Sequence, residues 1–264
     1  MSMIEGCWAN VLDNCERRPG STDDLTGEHL MSVAIFAAAD GMPNNRSGRV
    51  GRVVTVRGGH HLADGPVPVG ELTADILCFH HNNSTSPLDE EGGRFVRAIE
   101  NWNRVNAERG SQPPQTWPQQ VFGVNGPLLE RLFLKLAVNS MFGDGGLPIG
   151  GPDARAGWPT RELVEMVYGR RAVGKPAGLF FLARVGQQMD FEERFVPIHF
   201  DNGRYREGCV WIFRTLVIGV QFTPDPMPAR MFDAVPALRG MTRLQPFRGI
   251  NSASNVELRL NWPG

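Results

Sequence analysis

Side chains that bind metal ions or carry protons are concentrated in three short stretches of this 264-residue chain. Two cysteines come first, the dipeptide Glu28-His29 follows, and a Cys-x-x-His sequence then leads directly into an asparagine. Structural zinc takes four nitrogen or sulfur ligands in a closed tetrahedron. The first and third stretches supply that number: Cys7, Cys15, Cys78 and His81. The sequence therefore predicts a structural zinc site, and the alternative is a set of ordinary buried thiols.

Three further side chains lie close to these ligands in the sequence: the acid Glu28, the imidazole of His29 and the amide of Asn82. Carboxylate and amide oxygens are typical ligands of hard divalent cations, and a neutral imidazole is the commonest general base. Together they are the parts of a hydrolytic metal site. Each has a simpler role as well, because Glu28-His29 could be a surface pair or helix cap and Asn82 could cap the following helix.

The order of these residues resembles the HNH, or ββα-metal, nuclease superfamily, in the branch that has two zinc-binding knuckles. There, the knuckles bracket an acid-histidine pair, and an asparagine follows the last zinc ligand. The phrases at 27–32 and 78–89 also resemble uncharacterised bacterial HNH-type proteins, and the resemblance covers roughly residues 5–105. Two features depart from the family. The first pair is Cys-x7-Cys rather than Cys-x-x-Cys, and the last ligand is His where Cys is commoner.

The resemblance implies an endonuclease that hydrolyses phosphodiester bonds of DNA by a one-metal mechanism. Glu28 and Asn82 would hold a catalytic Mg²⁺ or Mn²⁺ in a solvent-open site, and His29 would be the general base. One alternative is a non-catalytic, zinc-stapled module that binds nucleic acid or protein. Another is a defence effector nuclease gated by its C-terminal part, which would bind a regulatory ligand or a protein partner.

Charge gives a weaker indication of the partner. The net charge is −1, so no global field attracts nucleic acid. The stretch between Asp40 and Asp64, however, contains no acid and several arginines. Arginine is well shaped to bind phosphate, and three of these residues fall on a predicted strand. They are the candidate ligands for DNA backbone phosphates: Arg49, Arg52 and Arg57.

Composition places limits on the cellular context. No apolar run approaches 18 residues, and the first residues lack the pattern of a signal peptide. We therefore expect a cytoplasmic protein without a membrane partner. In a reducing compartment the four cysteines favour metal binding over disulfides. Cys209, inside an apolar run, is expected to be a small buried hydrophobe.

The predicted elements give an α+β fold in two parts. Residues 1–109 form a ββα-metal, treble-clef-like module: a short helix at 30–39, a hairpin of strands at 49–57 and 71–78, the ligand cluster, and a helix from Ser86 to about Asn106. Residues 110–120, rich in proline and glutamine, are a predicted linker. Residues 121–264 form a helix-plus-antiparallel-sheet domain with helices at 128–142 and 160–168 and strands from residue 179 onward.

Overall fold

The computed structural model of this protein describes the following residues: 3–30, 32, 34–35, 53–56, 65–113, 115–173, 178–183, 194–195, 197–212, 216–223, 249–252 and 254–262. Within these ranges the helices are α1 (Phe79–Ser84), α2 (Ser86–Gly110), α3 (Gly126–Met141) and α4 (Arg161–Val167). The strands are β1 (Thr26–His29), β2 (Val53–Val56), β3 (Gly65–Pro68), β4 (Thr73–Leu77), β5 (Gln120–Asn125), β6 (Gly178–Ala183), β7 (Arg194–Phe195), β8 (Pro197–Asp201), β9 (Arg206–Ile212), β10 (Leu216–Gln221), β11 (Gly249–Asn251) and β12 (Val256–Asn261). The predicted mixture of helices and strands is confirmed.

The strands form four small sheets. One sheet has the order β6-β10-β9-β8 and is antiparallel throughout, as predicted for the C-terminal part. The others combine strands that are far apart in sequence: β11-β12-β5, β3-β2-β7 and the pair β1-β4. Two pairings are parallel, β12 with β5 and β2 with β7, so the prediction of a purely antiparallel sheet is wrong for these strands.

The predicted N-terminal hairpin is wrong in its pairing. Strand β4 lies where a strand was expected, but its antiparallel partner is β1 rather than the strand around β2. β2 pairs instead with β3, which lies between the two predicted strands and contains two prolines. Proline is tolerated there because β3 is an edge strand, which need not donate hydrogen bonds on both sides. Because β1 is the partner of β4, Glu28 and His29 lie on a strand and not at the start of a helix.

Helix α3 lies in the centre of the core, as its apolar sequence predicts. It begins where the side chain of Asn125 accepts a hydrogen bond from the backbone N–H of Leu128. Helix α2 packs closely on it, because a Cβ atom at Gly92 would lie only 2.6 Å from Leu132 Cδ2. The ring of Phe133 on α3 packs against Trp211 in β9, with 5.3 Å between the ring centroids. The helix therefore joins α2 to the C-terminal sheet.

Hydrophobic packing crosses the predicted linker. Buried side chains from both sides of residues 110–120 belong to one hydrophobic cluster, from Ile4 near the start to Leu260 in β12. Gly110 and Gln120, the ends of the predicted linker, belong to α2 and β5, and the described residues between them, 111–113 and 115–119, form neither helix nor strand. Division of the chain into two folding units stays a prediction. Within the part that the structure describes, no helix combines the length and apolar character needed to cross a membrane.

Candidate metal centre and the adjacent polar network

The four predicted zinc ligands converge on one buried point. The N-terminal segment supplies two of them, and the junction of β4 and α1 supplies the other two. All are buried, and their ligand atoms lie within 4.8 Å of one another. The Nδ1 atom of His81 lies 3.4 Å from the Sγ of Cys7, 3.6 Å from that of Cys15 and 3.2 Å from that of Cys78.

These distances match a tetrahedral metal site. Zinc–sulfur bonds of about 2.3 Å and zinc–nitrogen bonds of about 2.0–2.1 Å, at tetrahedral angles, place sulfur and nitrogen about 3.5 Å apart. The three sulfur–nitrogen distances fall close to this value. Three thiols and one imidazole are also the donor types of closed structural sites. The chain thus has a buried Cys3His cluster that could hold a metal ion such as zinc, as the sequence predicts.

A hydrogen bond fixes the orientation of the His81 ring. Its Nε2 atom lies 2.9 Å from Oδ1 of Asn14, and a carbonyl oxygen can only accept. Nε2 therefore carries the proton, which leaves the lone pair of Nδ1 directed at the three sulfur atoms. The hydroxyl of Tyr168 donates to the backbone carbonyl of His81 at 3.1 Å, and the two rings meet edge to face. Both contacts hold the ligand in position.

The thiols of the cluster ionise unequally. The pKa of Cys78 is lowered to about 3, first because it accepts a hydrogen bond from the thiol of Cys7. The pKa of Cys7 is raised, first because its thiol donates that hydrogen bond and second because it is buried. Burial also raises the pKa of Cys15. Cys78 is thus the first of the three to become a thiolate, the form that binds a metal ion.

A second polar group, next to β1, contains Glu28. Its carboxylate is only 3% exposed and lies 2.7 Å from the ammonium of Lys135, which is fully buried on α3. The same ammonium lies 3.1 Å from the carboxylate of Asp89, whose side chain is 32% exposed. The expectation of a solvent-open acid at this position is therefore not met by Glu28, because α3 covers it and supplies a cation.

Burial and neighbouring charges shift the pKa values of this group in opposite directions. Burial raises the pKa of Glu28 to about 7, and the neighbouring ammonium limits that rise. Burial lowers the pKa of Lys135, but the charges of Glu28 and Asp89 outweigh burial, so its pKa is raised overall. The lysine is therefore charged at neutral pH. The pKa of His29, which is half-buried beside these groups, is lowered, first by burial.

Asn82 faces β1 and does not cap a helix. Helix α1 begins after Cys78 and α2 begins after Thr85, so neither cap position belongs to Asn82. Its Nδ2 donates to Oγ1 of Thr26 at 2.9 Å, and that hydroxyl donates to the backbone carbonyl of Leu77 at 3.2 Å. The helix is thus tied to both strands of the β1–β4 pair. The candidate phosphate ligands Arg49, Arg52 and Arg57 lie outside the described residues.

The sequence predictions did not include the residues of α3 that reach this group. Lys135 and Asn139 lie four residues apart, so they project from the same side of the helix. Both are fully buried. A signal for them does exist in the sequence: the chain has two lysines, and one of them lies within the apolar run of residues 132–138. A lysine in such a position must be paired, because a buried charge is costly without a partner.

No protein-family model matches this chain. No curated protein and no solved structure matches it either.

Proposed function

We propose that this chain is a metal-dependent endonuclease that hydrolyses phosphodiester bonds of DNA and carries a structural zinc ion in its Cys3His cluster. The observation that supports the proposal is the order of elements around the site. Glu28 and His29 lie on β1, β1 pairs antiparallel with β4, and β4 leads directly into the metal ligands and α1. Asn82, on that helix, is tied back to β1. Two strands, metal ligands and a helix are what the resemblance to the HNH superfamily implies.

His29 acts as the general base in the proposed reaction. Burial lowers its pKa, so the imidazole is neutral near pH 7 and can accept a proton. It takes this proton from a water molecule, which attacks the phosphorus atom as the bond to the 3′ oxygen breaks. A bound Mg²⁺ or Mn²⁺ ion supplies positive charge that stabilises the developing negative charge on the phosphate.

Glu28 and Asn82 would each hold this cation through one oxygen. Lys135 and Asn139 both contact Oε1 of Glu28, so Oε2 is the atom that the proposal assigns to the metal. Asn82 donates through Nδ2, and Oδ1 is the atom assigned. Two protein ligands suffice, because Mg²⁺ keeps several water molecules and binds phosphate oxygens of the substrate. The arginines at 49, 52 and 57 would neutralise neighbouring phosphates of the DNA backbone.

A second candidate is a non-catalytic, zinc-stapled module that binds nucleic acid or protein. The contact that favours it is the ion pair between Glu28 and Lys135, at 2.7 Å. Because this carboxylate already has a cation, it could serve only to hold α3 against β1. In that case His29 would have no reaction to catalyse, and neither Mg²⁺ nor Mn²⁺ would be required.

Cleavage of supercoiled plasmid DNA by the purified chain, in Mg²⁺, Mn²⁺ or chelator, separates the two candidates. We expect cleavage with a divalent cation and a loss of about 10²–10⁴-fold in rate for His29→Ala, because removal of a general base has that effect. Zinc content should be unchanged in this variant, since His29 is not a ligand of the cluster.

His80→Ala is the matched control. His80 is next to His81. Within the described residues its ring contacts Asn14, Glu16 and the ring of His81, and no contact with β1 is found. This variant should cleave like the parent protein. Equal rates for His29→Ala and the parent would reject His29 as the base. A parent protein that cleaves in neither cation would favour the binding module.

A further inference from the structure

We propose that Asn139 on α3 is a positioning residue that holds the Glu28-His29 pair in place and is itself oriented by Trp8, the neighbour of the metal ligand Cys7. The inference rests on the proposed function, in which Glu28 and His29 are the reacting pair. It extends that function by linking the pair to the metal cluster through hydrogen bonds between buried groups.

The Asn139 side chain uses both ends of its amide. Its Nδ2 donates to the backbone carbonyl of His29 at 3.2 Å and approaches Oε1 of Glu28 at 3.4 Å. Its Oδ1 accepts a hydrogen bond from Nε1 of Trp8 at 3.1 Å. Asn139 and Trp8 are both fully buried, so water cannot replace either bond. A single side chain therefore connects β1 with the N-terminal segment.

The amide has only one possible orientation. The indole N–H of Trp8 can only donate, and the backbone carbonyl of His29 can only accept. A rotation of the Asn139 amide by 180° would bring two donors together at Trp8 and two acceptors together at His29. Both bonds would be lost in a buried setting, where an unpaired donor or acceptor destabilises the folded state. The orientation of Asn139 is thus set by Trp8 and transmitted to His29.

Lys135 strengthens the same arrangement. It precedes Asn139 by one helical turn and contacts the same oxygen, Oε1, of Glu28 at 2.7 Å. The two residues hold the acid from one face of α3, while Asn139 alone reaches the backbone of His29. Displacement of that backbone by a fraction of an ångström moves the imidazole, and misplacement of a reacting group by about 1 Å can cost about 10²-fold in rate.

Trp8 connects this group to the metal cluster. It follows Cys7 directly, its backbone N–H donates to the carbonyl of Ile76 in β4, and its ring packs 5.9 Å from that of Tyr168. Tyr168 in turn bonds to the metal ligand His81. Loss of the metal ion should therefore loosen Trp8, remove the partner of Asn139 Oδ1 and weaken the hold of Asn139 on the carbonyl of His29, which then depends on the pairing of β1 with β4.

Three variants test the proposal. Trp8→Phe removes the indole N–H that orients Asn139. Asn139→Asp keeps an acceptor for Trp8 but places a carboxylate oxygen against the carbonyl of His29 and the carboxylate of Glu28. Trp211→Phe is the matched control, because Trp211 is also fully buried, and its Nε1 makes no hydrogen bond within the described residues. It removes the same ring volume without removing a bond.

Two measurements are made on each variant, together with zinc content and thermal unfolding. Steady-state cleavage should show kcat lowered by about tenfold to 10²-fold in Trp8→Phe and Asn139→Asp, with KM unchanged. Hydrogen exchange should be faster at the amides of His29 and Leu30 in these two variants and, in the parent, after zinc removal. Trp211→Phe should match the parent in both measurements.

The outcomes separate this inference from the proposed function. If the parent cleaves DNA and both variants retain its kcat, Asn139 does not position the pair, although the nuclease function stands. If the parent does not cleave, the proposed function fails, and hydrogen exchange decides: unchanged exchange at His29 and Leu30 would reject the positioning role too. If Trp8→Phe lowers kcat and Asn139→Asp does not, Trp8 acts on catalysis without Asn139. The proposal that Asn139 positions His29 is then wrong.

Discussion

Two buried polar groups lie side by side in this protein, and they differ in how their charge is balanced. The Cys3His cluster consists only of potential metal ligands, with Cys78 as the most acidic thiol. The group around Glu28 contains two carboxylates and its own cation, the ammonium of Lys135. The cluster could therefore take an external cation, whereas the Glu28 group is already supplied with one from α3.

The difference shows that residue types alone do not tell how many ligand atoms of a side chain remain available for a metal ion. Glu28 is next to a histidine and close to an asparagine, which is a plausible ligand set for Mg²⁺. Its nearest cation is nevertheless a lysine from a helix more than 100 residues further along the chain. Pairing occupies Oε1 of Glu28, so only Oε2 is available for the cation of the proposed reaction.

Replacement of a cluster ligand should have the largest effect. We expect Cys78→Ser to lose the metal ion and to unfold the N-terminal part of the chain. Zinc binding in zinc-finger peptides contributes about 10–16 kcal/mol of apparent free energy, and this is folding free energy. Zinc analysis and thermal unfolding, with and without chelator, measure both effects.

Cys209→Ala is the control for this variant. Cys209 is fully buried on β9 but is not a member of the cluster. Its replacement should cost about 1 kcal/mol, the usual effect of a small buried substitution, and should leave zinc content unchanged. A Cys78→Ser protein that retains one zinc ion per chain and the parent's unfolding midpoint would contradict the assignment of the cluster.

Removal of the internal cation should have an intermediate effect. Lys135→Met leaves Glu28 and Asp89 without their shared partner, and loss of one member of a buried pair costs about 3–5 kcal/mol. The double variant Glu28→Gln/Lys135→Met removes both charges and should recover most of this loss. Urea unfolding of the parent, both single variants and the double variant gives the coupling energy. A coupling energy near zero would mean that the ion pair does not hold α3 against β1.

Glu130 on α3 tests the same difference between buried acids with and without a cation, and the expected effect is smaller. Among the described residues, no ion pair with Glu130 is found. Burial raises its pKa to about 7, although its carboxylate accepts a hydrogen bond from the backbone N–H of Leu179 at 3.1 Å. Because the pKa of Glu130 is higher in the folded than in the unfolded state, protonation of this carboxyl favours the folded state. That contribution to stability is fully present below the ordinary pKa of 4.5 and is lost as pH rises through about 7.

Glu130→Gln should therefore be more stable than the parent at pH 8, by about 1–2 kcal/mol. A shift of one pKa unit corresponds to about 1.4 kcal/mol, and the partial exposure of Glu130 reduces the energy that the shift implies. At pH 4 the advantage should disappear. Urea midpoints at both pH values measure the difference. An equal advantage at both pH values would show that the carboxyl does not titrate between them.

The Cys3His cluster was predictable from the sequence because its residue types are rare. The chain has only four cysteines, and the Cys78-x-x-His81 spacing is a local signal that does not depend on the rest of the fold. Helix α3 was predictable for a similar reason, since its apolar residues recur around the whole helix. Both features are determined by short segments.

The surroundings of Glu28 were not predictable, because they depend on distant segments. Asn139 is 111 residues from Glu28, and no local pattern connects them. The pairing of β1 with β4 was missed because the Thr26–His29 segment is short, polar and contains glycine, all of which disfavour a strand. The tertiary contacts with Asn82 and α3 outweigh this weak local preference.

The order of the ligands along the chain has a consequence for how the protein is made. A ribosome delivers all four cluster residues before any residue of α3 emerges, and β12, the parallel partner of β5, emerges much later. The metal centre can therefore close early, while synthesis continues. Glu28 must wait for α3 before it meets Lys135, and His81 must wait for Tyr168. A nascent chain stalled between these points would present the four cluster residues beside an acid that still lacks its counter-charge.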